Sequence, residues 1–324
     1  MIKKTKTKIG LALGSGAARG WSHVGVIREL EKMGIKPDIV TGASVGAVVG
    51  GAYAAGRLDE FEDWIRSLGR VDIIRLLDAK MSGGGFLQGK SLMGAISKQM
   101  GNPDIEDLDI PFGCVATGLQ TGREIWLREG SLLDACRASI ALPGMFAPAR
   151  DDEGELLIDG GLVNPVPVSL ARAMGADVVI AVNLNGDLVG QHFYSHTPEN
   201  DQQAVEDSDR ELAEIEEKDS TIAKWAAKLK AGMGIRLDSY ISSLRKSGTA
   251  DPGLFDVMAG SIDIMQDRIT RSRMAGDPPD VHIVPKLNHI GLMEFDRAKE
   301  AIEGGRKATQ REKEELEPLI KAAK

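Results

Sequence analysis

Apolar and mixed positions alternate through the first half of the chain in a rhythm that predicts strands interleaved with helices. Ile9–Leu13 reads as a buried strand running into glycines. Ser22–Met33 follows with Val24, Ile27 and Leu30 at helical spacing, stopped by Gly34. Pro37 precedes a short strand, Ile39–Thr41, and a small-residue helix runs from about Val45 to Ala55, ending at Gly56. Helices are expected over Asp59–Leu68 and Gly89–Met100, with Ser82-Gly83-Gly84-Gly85 as a mobile loop between them. Phe112–Thr117, Glu124–Leu127, Leu156–Ile158 and Val178–Val182 read as strands, and Leu132–Ala138 as a helix cut off before Pro143. This alternation predicts an α/β layered fold with a mostly parallel sheet.

The rhythm fades after residue 185. Three regions are expected: a core over 1–185, a polar insertion or lid over 186–250, and a return to the core over 251–324. The return holds a helix at Gly253–Met274, a last strand at Val281–Val284 and a charged helix at Phe295–Leu316. A length of 324 residues suits one large domain or two ordinary ones.

Charge sharpens this division. Residues 199–219 carry ten acids against Arg210 and Lys218, which accounts for the whole net charge of −8 and leaves 38 bases against 38 acids elsewhere. A basic field for nucleic acid is therefore excluded. The two cysteines, Cys114 and Cys136, rule out a disulfide scaffold and read as small core residues of a reducing compartment. Met1–Lys8 is basic, but Ile9–Leu13 is too short for a signal sequence. The uncharged stretch Thr41–Gly56 is short for a membrane span and rich in Gly and Ala, so it reads as a buried helix. A cytoplasmic protein is expected.

Three motifs carry candidate chemistry. Gly14-Ser15-Gly16-Ala17-Ala18-Arg19-Gly20 joins the first strand to the first helix, where backbone N–H groups and a helix N-terminus can converge on an anion. The glycine spacing is one residue off a dinucleotide fingerprint, and no acid ends the second strand. An oxyanion site and a plain tight turn both remain open. Gly42-Ala43-Ser44-Val45-Gly46 fits Gly-x-Ser-x-Gly between a strand and a helix, the setting that exposes a nucleophilic serine, with the Val45 N–H as a further donor. An N-capping role for Ser44 is compatible with that. Asp159-Gly160-Gly161 ends an apolar strand and puts a carboxylate at a sheet edge, although such a tripeptide is also a common turn. An α/β-hydrolase triad ending at His289 is disfavoured, because only one strand precedes the serine's own strand. His23, His192, His196, His282 and His289 read as structural or solvated.

Taken in order, these motifs and the proline-containing segment Ser139-Ile140-Ala141-Leu142-Pro143-Gly144 with Phe146 resemble the patatin-like phospholipase family, in its small bacterial cytoplasmic form. The match covers roughly residues 8–185, with a return in 281–310. The resemblance implies a patatin-like three-layer α/β/α fold and a Ser–Asp dyad, with Ser44 as nucleophile and Asp159 as general base. It implies an oxyanion hole built around Gly14, Ser15, Gly16, Ala17, Arg19 and Val45. Ser15 stands where many members carry glycine. The expected reaction is hydrolysis of a phospholipid or lysophospholipid acyl ester, with no metal and no cofactor. Carboxylester or thioester hydrolysis by the same dyad, and a nucleotide-binding or regulatory protein without chemistry, are the alternatives. A carboxylate at its reference pKa of about 3.9 is a weak base for a hydroxyl, so a partly desolvated cleft is expected around Asp159.

Residues 221–247 carry six bases against Asp238, with Ile222, Trp225, Leu229, Met233, Leu237, Tyr240, Ile241 and Leu244 at helical spacing. A helix packed on the protein's own core is the favoured reading, because Gly232 and Gly234 interrupt the stretch. A lid with transient contact to the inner membrane surface is the other. Oligomeric state is not legible.

Overall fold

The structure is a computed structural model that describes residues 7–76, 81–82, 86–87, 89–187 and 254–322. The acidic run, the 221–247 stripe, His192, His196 and Gly83–Gly85 lie outside the described residues.

The elements begin with β1 (Ile9–Leu13), α1 (Ser22–Lys32), β2 (Ile39–Ala43) and α2 (Val45–Ala54). Helices α3 (Leu58–Ser67) and α4 (Arg70–Leu76) follow, then a short antiparallel pair, β3 (Met81–Ser82) with β4 (Phe86–Leu87), and α5 (Lys90–Met100). Next come β5 (Phe112–Gly118), β6 (Glu124–Leu127), α6 (Leu132–Ser139), β7 (Ala149–Arg150) and β8 (Leu156–Asp159). The remaining elements are α7 (Val168–Ala173), β9 (Val178–Val182), α8 (Leu254–Gly276), β10 (Val281–Ile283), α9 (Ala298–Arg311) and α10 (Lys313–Ala322).

The central sheet runs β10-β9-β1-β2-β5-β8-β7, with β6 also on β5. The strands from β10 to β5 are parallel, and β6, β7 and β8 join antiparallel. The sheet is covered on both faces, as period-two burial requires. Leu11 and Leu13 of β1 and Ile180 and Val182 of β9 join the larger core with α1, α2, α3, α5 and α9. Ala12, Val179 and Ala181 point the other way, onto Val168 and Ala171 of α7.

By compactness the chain divides into residues 1–189 with 265–324, and residues 190–264. The first unit holds the whole central sheet. Of the second, only the start of α8 is described. Among the described residues no helix is long and apolar enough to cross a membrane.

Two features correct the sequence reading. The single C-terminal helix expected over Phe295–Leu316 is a 3-10 turn at Phe295–Arg297, then α9, then α10 after a break at Glu312. The break lets Leu316 and Leu319 bury themselves. Helices α4 and α7 lie in stretches for which the sequence pattern predicts no element; Pro167 sits at the N-cap of α7, where a missing N–H is tolerated.

Helices α1 and α9 cross in backbone contact. A Cβ on Gly25 would lie 1.9 Å from the Ile302 carbonyl oxygen, and one on Gly305 would lie 2.0 Å from the Ser22 carbonyl oxygen. Each helix presents a glycine to the other's backbone, which fixes α1 and the loop that precedes it.

Candidate active site

Strand β5 aligns the two ends that matter. Its Val115 pairs with Ala43 at the end of β2, and its next residue, Ala116, pairs with Asp159 at the end of β8. Strand β6 pairs along the other edge at Cys114–Thr117, so β8 takes up the first edge where β2 leaves it. Residues far apart in sequence therefore end on adjacent rungs.

At the end of β2 the chain turns sharply into α2. Ser44 has φ +55°, a region that disfavours an L side chain. Close approach makes the turn possible: a Cβ on Gly42 would come 2.5 Å from Ala47 backbone atoms, and one on Gly46 would come 2.2 Å from the Leu13 oxygen. The Ser44 N–H donates to Ser139 Oγ at 2.9 Å, and that hydroxyl donates to the Val115 carbonyl at 2.7 Å. Ser44 makes no side-chain cap on α2. Its hydroxyl instead donates to Asp159 Oδ2 at 2.6 Å.

Asp159 is 1% exposed. Its second oxygen accepts the Gly161 N–H at 2.7 Å, its own N–H donates to the Ala141 carbonyl, and Thr117 Oγ1 donates to its carbonyl. Burial pushes the carboxyl up from the ordinary 3.8 to about 6, against the opposing pull of the Ser44 and Gly161 hydrogen bonds. A carboxyl held near 6 is a far better proton acceptor at neutral pH than one at its usual value.

The glycine loop lies beside these groups. Its first two amides are already used: Gly14 N–H donates to the Val182 carbonyl and Ser15 N–H to the Pro165 carbonyl. Arg19 N–H donates to the Gly16 carbonyl. Gly16 and Ala17 are left as the loop's amides with no acceptor among the described residues. Ala17 has φ +47°, and it and Ser44 are the only non-glycine residues with positive φ among the described residues. The Arg19 side chain is buried against Asn185, with Nη2 3.4 Å from Oδ1.

The patatin-like phospholipase family model matches residues 11–172, half of the chain. The chain belongs to the patatin-like phospholipase family. Membership makes it a lipid acyl hydrolase. An NTE family protein of Mycobacterium tuberculosis is 36% identical over 92% of this chain and 89% of that protein. Lysophospholipase nte1 of Emericella nidulans is 36% identical over 54% of this chain and 12% of its own length. Human patatin-like phospholipase domain-containing protein 6 is 35% identical over 56% of this chain and 14% of its own. A crystal structure of VipD from Legionella pneumophila aligns with a TM-score of 0.46 at 14% identity, over 95% of this chain and 66% of that one.

The patatin-like core also places the histidines. His23 is fully buried on α1, with Nε2 2.7 Å from the Gly14 carbonyl. A carbonyl can only accept, so Nε2 carries the hydrogen. Burial outweighs that bond and pulls the imidazole from 6.5 down to about 4, which keeps it neutral. His289 is exposed and pairs with Glu300. Ser139 and Gln266 are the contributors that motif reading left without a role. Ser139 lies in the proline-containing segment, but no sequence feature shows that its hydroxyl links the turn at Ser44 to β5.

Proposed function

We propose that Ser44 and Asp159 form a catalytic dyad that hydrolyses the acyl ester of a phospholipid or lysophospholipid. The observation that carries this reading is the 2.6 Å contact between Ser44 Oγ and a buried carboxylate, made by a serine held at φ +55°. The likeness to lysophospholipase nte1 supports the substrate class.

In this reading Asp159 Oδ2 takes the hydroxyl proton while Ser44 Oγ bonds to the ester carbonyl carbon. The carbonyl oxygen becomes an oxyanion and accepts from the free Gly16 and Ala17 amides, with Val45 N–H at the start of α2 as a further donor. The buried Arg19 guanidinium favours negative charge at the loop. Gly14 and Ser15 serve as anchors of the loop, since their amides are engaged. As the tetrahedral intermediate collapses, Asp159 returns the proton to the leaving alcohol and an acyl-serine remains. Water then gives a proton to Asp159 and attacks the acyl carbon, and the carboxyl proton passes to Ser44 Oγ as the fatty acid leaves.

The test combines a fluorophosphonate probe with a lipid panel. Labelling is expected in the wild type and absent in Ser44→Ala, and turnover of lysophospholipid is expected to vanish in Ser44→Ala and Asp159→Ala while both remain folded. Turnover near the wild-type rate in either variant rejects the dyad. Because Asp159 must be ionised to accept the proton, kcat/KM is expected to rise with pH through about 6.

A further inference from the structure

One buried amide side chain joins parts of the site that the motifs leave separate. Gln266 lies on α8, outside the family match, and is 4% exposed. Its Oε1 accepts from Ser15 Oγ at 2.8 Å and from Asn185 Nδ2 at 2.7 Å. Asn185 in turn accepts from Arg19. The oxyanion loop, the segment after β9 and α8 thus meet on one oxygen. The other end of the amide rests on the acid turn: a Cβ on Gly161 would lie 2.6 Å from Gln266 Nε2 and 2.9 Å from Asp159 Oδ1. About two helical turns further on, Arg273 donates to the Val163 carbonyl at 2.8 Å and to Glu124 at 2.7 Å. The first unit's part of α8 therefore meets the turn after Asp159 twice, at Gly161 through Gln266 and at Val163 through Arg273.

We propose that Gln266 is a positioning residue for acyl transfer, holding the oxyanion loop and the acid turn at the separation in which both act on one reacting carbon. The proposal rests on the Ser44–Asp159 reading. The hydrogen bonds of Gln266 run to Ser15 and Asn185, so its effect on Ser44 and Asp159 passes through the segments it holds. A neutral amide suits the task, because one oxygen can take two donors without placing a charge beside Asp159. A hydrocarbon side chain would strand the Ser15 hydroxyl and the Asn185 amide. A carboxylate would keep the acceptor and oppose ionisation of Asp159. Ser15 supplies one of the two donors that Gln266 Oε1 accepts. Among the described residues the charged or titratable groups on the surrounding elements include Arg19, His23, Glu124, Asp263, Asp267 and Arg273.

The experiment measures kcat, KM and pH profiles of the full-length chain on a soluble p-nitrophenyl acyl ester. Gln266→Leu is expected to lower kcat about tenfold or more with KM within roughly twofold, since small misplacements of reacting groups carry large rate penalties. In a Ser15→Gly background the same substitution is expected to lose roughly threefold less, because the pair acts as a unit. Gln266→Glu is expected to move the acidic limb of kcat upward by about half a pH unit or more. A rise in KM alone, additive losses, or an unmoved limb overturns the proposal. If Gln266→Leu does not fold, the Gln266→Glu profile decides. Turnover surviving in Ser44→Ala defeats the dyad reading and this proposal with it. Unchanged Gln266 variants in an enzyme that needs Ser44 defeat this proposal alone.

Discussion

The turn at Ser44 and the crossing of α1 with α9 use the same device for different ends. In both, a missing Cβ lets backbone come within about 2 Å of where the side chain would begin: Gly46 against the Leu13 oxygen, Gly25 against the Ile302 oxygen. The turn stores strain, with φ +55° on Ser44, and spends its tightness on presenting one hydroxyl to one carboxylate. At the crossing, both partners sit in ordinary helices and no residue is strained. It fixes α1, and α1 carries His23, which holds the Gly14 carbonyl of the oxyanion loop. Strain marks the place where chemistry is proposed, and unstrained close packing supports it from behind.

Adding one methyl group at each place should separate the two. Gly46→Ala pushes a carbon into the Leu13 carbonyl and displaces the turn, so kcat/KM on a soluble ester should fall on the order of a hundredfold or more, with far-ultraviolet circular dichroism close to wild type. Gly25→Ala drives a carbon into the opposing helix and should destabilise by about 3 kcal/mol or more in urea melts, the upper range for overpacking. Its surviving folded fraction should keep its affinity for a fluorophosphonate probe. Matching profiles of stability and activity in the two variants would erase the distinction.

Asp159 tests whether the strained side is also the costly one. Its folded pKa, about 6, lies above the ordinary 3.8, so the folded state binds the proton more tightly than the unfolded chain. The stability linked to this group is complete below pH 3.8 and is lost as pH rises through about 6. Ionisation at neutral pH therefore costs about 3 kcal/mol at 1.36 kcal/mol per pKa unit. Asp159→Asn keeps an acceptor for Gly161 N–H and can donate to Ser44 Oγ. It should abolish turnover and gain up to about 3 kcal/mol at pH 7.5 in denaturant melts, a gain that vanishes near pH 4. A variant no more stable than wild type at pH 7.5 would mean that the burial of this carboxylate carries no penalty.

Much of this arrangement was legible in the sequence, and what was missed has a physical reason. Strands β1, β6 and β9 begin and end where the sequence pattern put them; β1 and β9 are apolar runs that start just after charged Lys8 and Asp177. Ser44 and Asp159 were readable because a tight turn and a sheet-edge carboxylate each demand small neighbours at fixed offsets. Which loop amides stay free was not readable, because Gly14 and Ser15 are engaged by Val182 and Pro165, partners that only the sheet order brings near. Gly25 and Gly305 look like weak points of two helices until the helices are seen to cross. Gln266 sits in a helix whose buried face is polar at Gln266, Asp267 and Thr270, against the usual amphipathic pattern. The break at Glu312 falls in a charged run with no glycine or proline beside it.

His23 gives the smallest and most pointed test of the supporting side. Its folded pKa, about 4, lies below the ordinary 6.5, so the unfolded chain binds the proton more readily. Its contribution to stability is complete above pH 6.5 and is lost as pH falls toward 4, opposite in sign to that of Asp159. Between about pH 4 and 6 the two slopes offset each other in the wild type, which hides both. His23→Leu leaves the Gly14 carbonyl without its donor and should cost about 1–2 kcal/mol at pH 7. The deficit should shrink and then reverse as pH falls toward 4, because the variant no longer has a histidine to charge. The comparison is cleanest in an Asp159→Asn background, where the opposing slope is gone. Parallel stability curves there, with and without the His23→Leu substitution, would show that this imidazole is not held neutral by burial, and that α1 supports the loop by packing alone.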